Sequence, residues 1–356
     1  SWVAALGAYC ALNRYPWADR LLERKWPEVI NTVLTHQVVQ PNEEQALATK
    51  MPSLSAITDS VSKAVRDQYE ANPYPRWVKL GISQKGQSIA KVTRDFQLPV
   101  ILAESDFQES PEILIAGCGT GQQSITAASK FANSKVTAVD LSLASLAYAA
   151  RKTNELGVWN INYAQGDILE LATMEHQFDL IECTGVLHHL HDPMAGWRVL
   201  YDLLRPGGLM IIGLYSQCAR RSINQARALI NEKNYPPTDD GIRDCRREII
   251  SMPKGVGSDI PKVLKFSDFY SMSECRDLLF HVQEHQFTIP QIEDVLQELS
   301  LEFLGFELYN QTSLRNFRTA FPQDDALTSL GSWHQFEQAN PDTFASMYQF
   351  WCRKKA

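Results

Sequence analysis

The sequence predicts an α/β protein built on a mostly parallel sheet of seven strands with helices on both faces. Short apolar runs and helical patterns alternate from residue 113 onward, the order that buries a parallel sheet between two helical layers. A glycine-rich turn, Gly117-Cys118-Gly119-Thr120-Gly121, follows the first run. Two more strand-like runs stand near the C-terminal end with a helical stretch between them.

Residues 1–65 read as an N-terminal segment of short amphipathic helices, with Leu21, Leu22, Trp26, Val29, Ile30, Val33 and Leu34 at helical spacing. Turn residues at 41–44 and 52–55 punctuate it. The core begins at 66–216. Asn72-Pro73-Tyr74-Pro75 is a rigid extended turn, because each proline also biases the residue before it. Strands are expected at 113–116, 135–139, 161–164, 178–183 and 208–214, and helices at 122–131, 143–156 and 194–204. The last helix ends on Arg205-Pro206-Gly207-Gly208. Residues 217–300, polar and mostly helical with a loop around 253–261, read as an insertion over the sheet's active edge. Residues 301–356 complete the core with strands at 302–308 and 346–353.

Composition narrows the function. The 356 residues suffice for one large α/β domain with additions, or for two domains. A formal net charge of −7 argues against a broad nucleic-acid surface, which needs a basic stripe. No apolar stretch approaches the ~20 residues of a membrane span. The seven cysteines form no C-x-x-C pair, so neither a disulfide framework nor a zinc site is expected, and a reducing cytoplasm fits. The chain opens on Ser1 without an initiator methionine and reads as part of a longer protein or as a trimmed one.

The glycine turn lets the backbone approach a ligand closely at Gly117 and Gly119, and the helix behind it exposes free N–H groups. Alone, such a turn fits many nucleotide sites. Its context is narrower. The second run ends in Val139-Asp140, where an acid binds ribose hydroxyls, and the third is followed by Gly166-Asp167-Ile168, suited to an adenine amino group. The fourth leads into Gly185-Val186-Leu187-His188-His189-Leu190. These signals fall at the carboxyl ends of successive strands, where open α/β sheets bind ligands. A dinucleotide-dependent dehydrogenase would instead show G-x-G-x-x-G, and here the third glycine comes one residue early.

Gly117-Cys118-Gly119-Thr120-Gly121, Val139-Asp140-Leu141-Ser142, Gly166-Asp167-Ile168, Val186-Leu187-His188-His189-Leu190 and Leu204-Arg205-Pro206-Gly207-Gly208-Leu209 together resemble the motif series of class I, Rossmann-like S-adenosylmethionine-dependent methyltransferases, in order across 112–215. The resemblance implies S-adenosyl-L-methionine as cofactor. It sets Gly117, Gly119 and Gly121 against the methionine part, Asp140 and Leu141 at the ribose, and Asp167 and Ile168 at the adenine. Two further segments, 65–77 and 275–288, resemble the catalytic region of bacterial tetratricopeptide-repeat-linked methyltransferases, which implies that this chain is the catalytic part and that any repeat array is missing from it. A looser similarity links them to bacterial protein-lysine methyltransferases.

The residues of those segments carry a reading of their own. Tyr69, Tyr74, Arg76 and Trp77 combine aromatic faces with a guanidinium, suited either to closing over a sulfonium and its carboxylate or to packing as a proline-rich turn on the core. Tyr69 and Arg76 are assigned to the cofactor and Tyr74 to the acceptor. His281, Glu284 and His285 fall at i, i+3 and i+4 and so share a helical face, either as acceptor-pocket groups or as a solvated surface. No third ligand accompanies them, so no metal is expected.

Methyl transfer needs an aligned nucleophile, excluded water and, for an amine, a proton acceptor. Glu182, His188 and Tyr215 are the catalytic candidates, with Thr184 at the cofactor. Of the two adjacent histidines, His188 is expected to face the ligand and His189 to pack. Residues 69–77 are expected to cover the cofactor from the N-terminal side and 217–300 to close the opposite wall. The acceptor is expected to be a side-chain nitrogen of a protein or peptide. A small molecule of natural-product or quinone type is the alternative, and a non-catalytic cofactor-binding scaffold a third. Neither nucleic acid nor membrane is an expected partner, and the sequence specifies no oligomeric state.

Overall fold

Ile113, Leu114, Ile115 and Ala116 carry no exposed surface, and the run that holds them, Glu112–Ala116, is β1 of the computed structural model. The structure describes residues 2–253, 258–308, 310–323, 325–345 and 347–355. Part of the loop expected at 253–261, namely 254–257, and Ser346 at the start of the expected last strand lie outside the described residues.

The other strands are β2 (Lys135–Asp140), β3 (Ile161–Gln165), β4 (Phe178–Thr184), β5 (Leu204–Leu214), β6 (Leu301–Phe306) and β7 (Tyr348–Lys354). They form one sheet in the order β3-β2-β1-β4-β5-β7-β6. The first five are parallel, and β7 runs antiparallel to both β5 and β6. The seven-strand, mostly parallel expectation therefore holds. β5 begins earlier than expected. Phe178 pairs with Leu204 and Leu180 with Leu209, so the residues read as a turn bulge out inside the strand.

Helices α1 (Trp2–Tyr9) and α2 (Glu28–Leu34) enclose a small core of Val3, Leu12, Ile30 and Val38, and α3 (Gln40–Ala48) follows it in the N-terminal segment. Helix α4 (Ser60–Ala71) is capped by Asp59, which accepts from Ser62 N, and it runs straight through the boundary expected at residue 65. Helices α5 (Ile89–Asp95), α6 (Gln122–Lys130) and α7 (Leu143–Leu156) cover one sheet face through Ile89, Ile125 and Leu146. Helix α8 (Pro193–Leu203) lies on the other face with Trp197 and Leu200.

Helices α9 (Arg221–Lys233), α10 (Asp239–Ser251) and α11 (Met272–Phe280) make the insertion, with a separate core that includes Ile223, Ile242, Phe269 and Leu279. Helix α12 (Ile289–Glu298) falls inside the expected insertion, yet it buries Ile289, Ile292 and Leu296 in the main core. Helices α13 (Gln311–Ala320) and α14 (Leu330–Ala339) complete that face, with Phe317 stacked on Trp333.

The strand order reverses between β1 and β4. Such a switch leaves a crevice at the strands' carboxyl ends, the place where open α/β sheets take ligands.

Candidate active site

A cavity of about 290 Å3 fills that crevice. Gly117, Cys118 and Gly119 line it from the turn after β1, Asp140 and Leu141 from the end of β2, and Gly166, Asp167 and Ile168 from beyond β3. Thr184 and Gly185 contribute from β4, and Tyr215 from the end of β5.

Asp140 organises the first half. Its Oδ2 accepts Gly119 N–H at 2.7 Å and its Oδ1 accepts Ser142 N–H at 2.9 Å, so one carboxylate ties the glycine turn to the start of α7. Burial raises its pKa, and the backbone donors oppose that shift. Gly119 takes φ +50°, and a Cβ there would lie 3.0 Å from Tyr74 O. Asp167 Oδ1 accepts Leu169 N–H at 3.1 Å, but its buried Oδ2 has no partner among the described residues. Thr184 Oγ1 and Ser145 Oγ, also on the lining, are buried and without a partner among the described residues. Orphaned buried polar atoms along a glycine-walled cavity fit a ligand rich in hydroxyl and amino groups.

Gly121 departs from expectation, because it does not line the cavity. It precedes α6 with φ +87°, and a Cβ there would meet Ala149 Cβ of α7 at 2.6 Å. Helix packing and backbone conformation demand that glycine.

The 69–77 segment places Tyr69, Tyr74 and Pro75 on the cavity lining. It is clamped to the glycine turn, since Thr120 Oγ1 donates to Pro75 O and Trp77 Nε1 donates to Thr120 O at 3.1 Å. Helix α7 clamps it as well, through Tyr148 Oη to Trp77 O and Lys152 Nζ to Val78 O. Arg76 contradicts its assignment. Trp77 is drawn into the core, and the neighbouring Arg76 is exposed on a separate groove beside the N-terminal helices, away from this cavity.

Asp277, from α11 of the insertion, forms the opposite wall. Only 6 % exposed, it accepts Tyr69 Oη–H at 2.6 Å. Burial pushes its pKa up to about 6, while the Tyr69 hydrogen bond and the positive charge of Arg220 hold it down. Sequence reasoning missed Asp277. Its one signal was an acid directly before the apolar run Leu278-Leu279-Phe280.

Three further expectations are corrected. Glu182 sits on the sheet face that carries Ile115 and Ile211, opposite those residues in register, and does not line the cavity. Burial raises its pKa to about 7, and Lys130 opposes the shift. Of the histidines, His189 lines the cavity and His188 does not. His188 is fully buried, stacked on Tyr215 at 3.9 Å, and neither ring nitrogen has a partner among the described residues. His189 Nδ1–H donates to Gln283 O at 2.6 Å, and burial lowers its pKa to about 3.

Finally, His281, Glu284 and His285 share no helical face, because α11 ends at Phe280. The stretch beyond is extended, its backbone bonded to His188 O and Tyr215 O. Glu284 turns into a buried ion pair with Arg220 at 2.5 Å and Arg227 at 2.8 Å. His281 stands behind Tyr69, 3.2 Å from its hydroxyl, and His285 meets Gln283 at 2.9 Å.

Comparison with known proteins decides the domain. Residues 113–208 match the family model described as a methyltransferase domain. This is a class I S-adenosylmethionine-dependent methyltransferase domain. S-adenosylmethionine is its cofactor.

Outside the domain the likeness thins. An uncharacterized protein of Synechococcus sp. is 29% identical over 292 residues, 79% of this chain and 69% of its own length. The ubiquinone biosynthesis O-methyltransferase of Pseudomonas fluorescens is 37% identical over 98 residues, 27% of this chain and 41% of that enzyme. The trans-aconitate 2-methyltransferase of Deinococcus radiodurans is 31% identical over 121 residues, 34% and 44% respectively. The structure of PKMT2 from Rickettsia typhi in complex with AdoHcy shares the fold, with a TM-score of 0.52 and 15% identity over 68% of this chain and 48% of that one. The chain thus spans less than half the length of these two named methyltransferases and of PKMT2. Among the described residues no helix is long and apolar enough to cross a membrane, and no cluster of side chains suits a metal ion.

Proposed function

We propose that the chain is a methyltransferase that acts on a side-chain nitrogen of a protein or peptide. One observation carries this reading. A single cavity joins the glycine turn, Asp140 and Asp167 to an end walled by Tyr69, Tyr74, Tyr215 and the buried Asp277. When bound, S-adenosylmethionine supplies an activated methyl group.

The chain's residues divide the remaining work. Asp140 is the acceptor for ribose hydroxyls, in exchange for part of its present bonding to the backbone. Asp167 Oδ2 is the open acceptor for an adenine amino group, with Leu141 and Ile168 beside it. The clamped 69–77 segment excludes water and so strengthens electrostatics inside the site. The tyrosines surround the acceptor end, and aromatic faces favour a cationic group there. The segments that resemble repeat-linked methyltransferases supply these two walls, and a repeat array upstream would deliver a protein acceptor. The seven free cysteines agree with action in the cytoplasm.

A small-molecule acceptor is the second reading. The enclosed, largely apolar lining that Val65, Val186, Leu190 and Met347 add favours it. Incubation with methyl-labelled cofactor and a bacterial lysate separates the two. Label on lysine or another side-chain nitrogen in the protein fraction is the expected result, and label confined to small molecules would replace the first reading by the second. Calorimetry should find S-adenosylhomocysteine bound with about micromolar affinity.

A further inference from the structure

Asp277 is a buried carboxylate with half of its bonding left open. Oδ1 accepts Tyr69 Oη–H at 2.6 Å. No hydrogen bond reaches Oδ2, and no lysine or arginine pairs with the group among the described residues. A buried ionised carboxylate held by one donor is poorly compensated and calls for a second.

The protons around it are already committed. Gln283 N–H donates to His281 Nδ1 at 3.1 Å, so the neutral His281 ring carries its proton on Nε2. Nε2 lies 3.2 Å from Tyr69 Oη. The result is a directed chain in which His281 Nε2–H donates to Tyr69 and Tyr69 Oη–H donates to Asp277 Oδ1. Tyr69 has no proton left for a ligand, and Asp277 Oδ2 offers lone pairs only. A molecule meeting Asp277 must therefore bring the hydrogen-bond donor.

We propose that Asp277 binds the acceptor as an alkylammonium and takes its proton, which makes Asp277 the catalytic base and a primary or secondary alkyl amine the substrate class. This inference rests on the methyl-transfer reading above and adds the residue and the acceptor's charge.

The surrounding charges are consistent with it. Arg220 lies over the Tyr215 ring at 3.5 Å, and both Arg220 and Arg227 are held by Glu284. Their positive charge favours the ionised form of Asp277 without occupying Oδ2. His189 and His281 are neutral, because burial drives both rings well toward the unprotonated form. Among the described residues, Asp277 is thus the one anionic group on the lining at this end with a free oxygen. A carboxylate or phosphate acceptor would meet like charge.

The proton balance closes. R–NH3+ gives one proton to Oδ2, leaving R–NH2 with a free lone pair and Asp277 as the neutral acid. Burial lowers an amine's pKa and raises a carboxyl's, which narrows the gap between them. The lone pair forms the N–C bond as the methyl–sulfur bond breaks, and that bond's electron pair stays on sulfur. The product is R–NH2+–CH3, and Asp277 returns its proton to water when the site opens.

Asp277→Asn keeps the volume and an oxygen for Tyr69 but replaces Oδ2 by an NH2 donor. Wild type and variant, each saturated with S-adenosylhomocysteine, are titrated with n-butylammonium, 1-butanol and phenol and followed by ligand-observed NMR. Wild type should favour n-butylammonium at least tenfold over both neutral probes. Asp277→Asn should lose that preference while its Kd for S-adenosylhomocysteine stays unchanged, which also shows that it folds. Equal binding of the three probes by wild type, or a preference retained in Asp277→Asn, overturns the inference. Tyr69→Phe should keep the preference but require higher pH to express it, because the hydroxyl that stabilises the carboxylate is gone, and an unmoved pH dependence counts against the proton chain. Either overturning result leaves the methyl-transfer reading standing, since that reading is decided separately by where label from the cofactor appears.

Discussion

Glu70 reaches from α4 to the first turn of α7, where its Oε1 accepts Leu143 N–H at 2.6 Å and its Oε2 accepts Ala144 N–H at 3.0 Å. A helix start offers unpaired N–H groups and the positive end of the helix dipole, and a carboxylate satisfies both. The neighbouring Tyr69 contacts Asp277. The end of α4 is therefore a strut between the cavity wall that Asp277 forms and the turn that carries Asp140. Glu70→Ala should cost about 1–2 kcal/mol of stability, as loss of a cap does. It should also weaken S-adenosylhomocysteine binding several-fold, and Glu70→Gln should recover part of both. Thermal unfolding and calorimetry check this. A variant with lower stability but unchanged affinity would show that the strut supports the fold alone.

Asp140→Ala removes the acceptor expected at the ribose and frees Gly119 and Ser142 from their shared carboxylate. Charge-assisted hydrogen bonds contribute roughly 1.5–3 kcal/mol each. Affinity for S-adenosylhomocysteine should fall by tens-fold or more, with near-native circular dichroism. An unchanged Kd would remove Asp140 from the cofactor site.

Local signals account for what the sequence made legible. Helix α7 appears where expected because Ser142 caps it and Gly157 ends it in the left-handed region. The strands follow their apolar runs to within a few residues. The lining around the glycine turn, Asp140 and Asp167 was legible for the same reason, since those residues sit at strand ends in sequence order. The wall that Tyr69 and Asp277 form was not. Asp277 acquires its role from Tyr69, 208 positions away, and Glu70 from Leu143, 73 positions away. The spacing of His281, Glu284 and His285 suits a helix equally well, and only backbone pairing with His188 and Tyr215 makes that stretch extended. His188 and His189 are adjacent, so composition could not say which ring lines the cavity.

Asp277 links pH to stability. Its folded pKa, about 6, stands above the ordinary carboxylate value. Its favourable contribution is therefore present below the unfolded pKa and lost as pH rises through about 6. Asparagine does not titrate. The stability of Asp277→Asn relative to wild type should rise by about 1–3 kcal/mol between pH ~4 and ~6 and stay flat above. Urea unfolding at a series of pH values measures this. A constant difference would mean that the carboxyl titrates normally in the fold.

His188 is fully buried, both its nitrogens lack a partner among the described residues, and its pKa is driven well below the usual value by burial. Stability from this neutral ring is present above the unfolded pKa of about 6.5 and lost as pH falls through it. His188→Phe keeps a ring against Tyr215 and removes that loss. It should unfold at or above the wild-type temperature at pH 5 and retain methyl transfer. His189→Ala, which opens the cavity wall, should impair transfer at neutral pH. Loss of transfer in His188→Phe with His189→Ala unaffected would restore the catalytic role expected for His188.

Arg76 is the sharpest test of the 69–77 segment, because sequence and structure give it opposite roles. A guanidinium bound to the cofactor carboxylate would make Arg76→Ala inactive. In the fold Arg76 is exposed on the groove beside the N-terminal helices, while Tyr69, Tyr74 and Pro75 face the cavity. Arg76→Ala should therefore leave S-adenosylhomocysteine affinity within about twofold and stability within about 0.5 kcal/mol, as surface substitutions do. Trp77→Ala should behave differently. Its indole is buried and donates to Thr120 O, and its own carbonyl accepts Tyr148 Oη–H. Truncating it should cost about 3–5 kcal/mol through the cavity it leaves and should loosen the segment over the glycine turn. Calorimetry of the two variants, with unfolding curves for each, decides the matter. A large loss of cofactor affinity in Arg76→Ala at unchanged stability would mean that the segment rearranges on binding to bring the guanidinium inside.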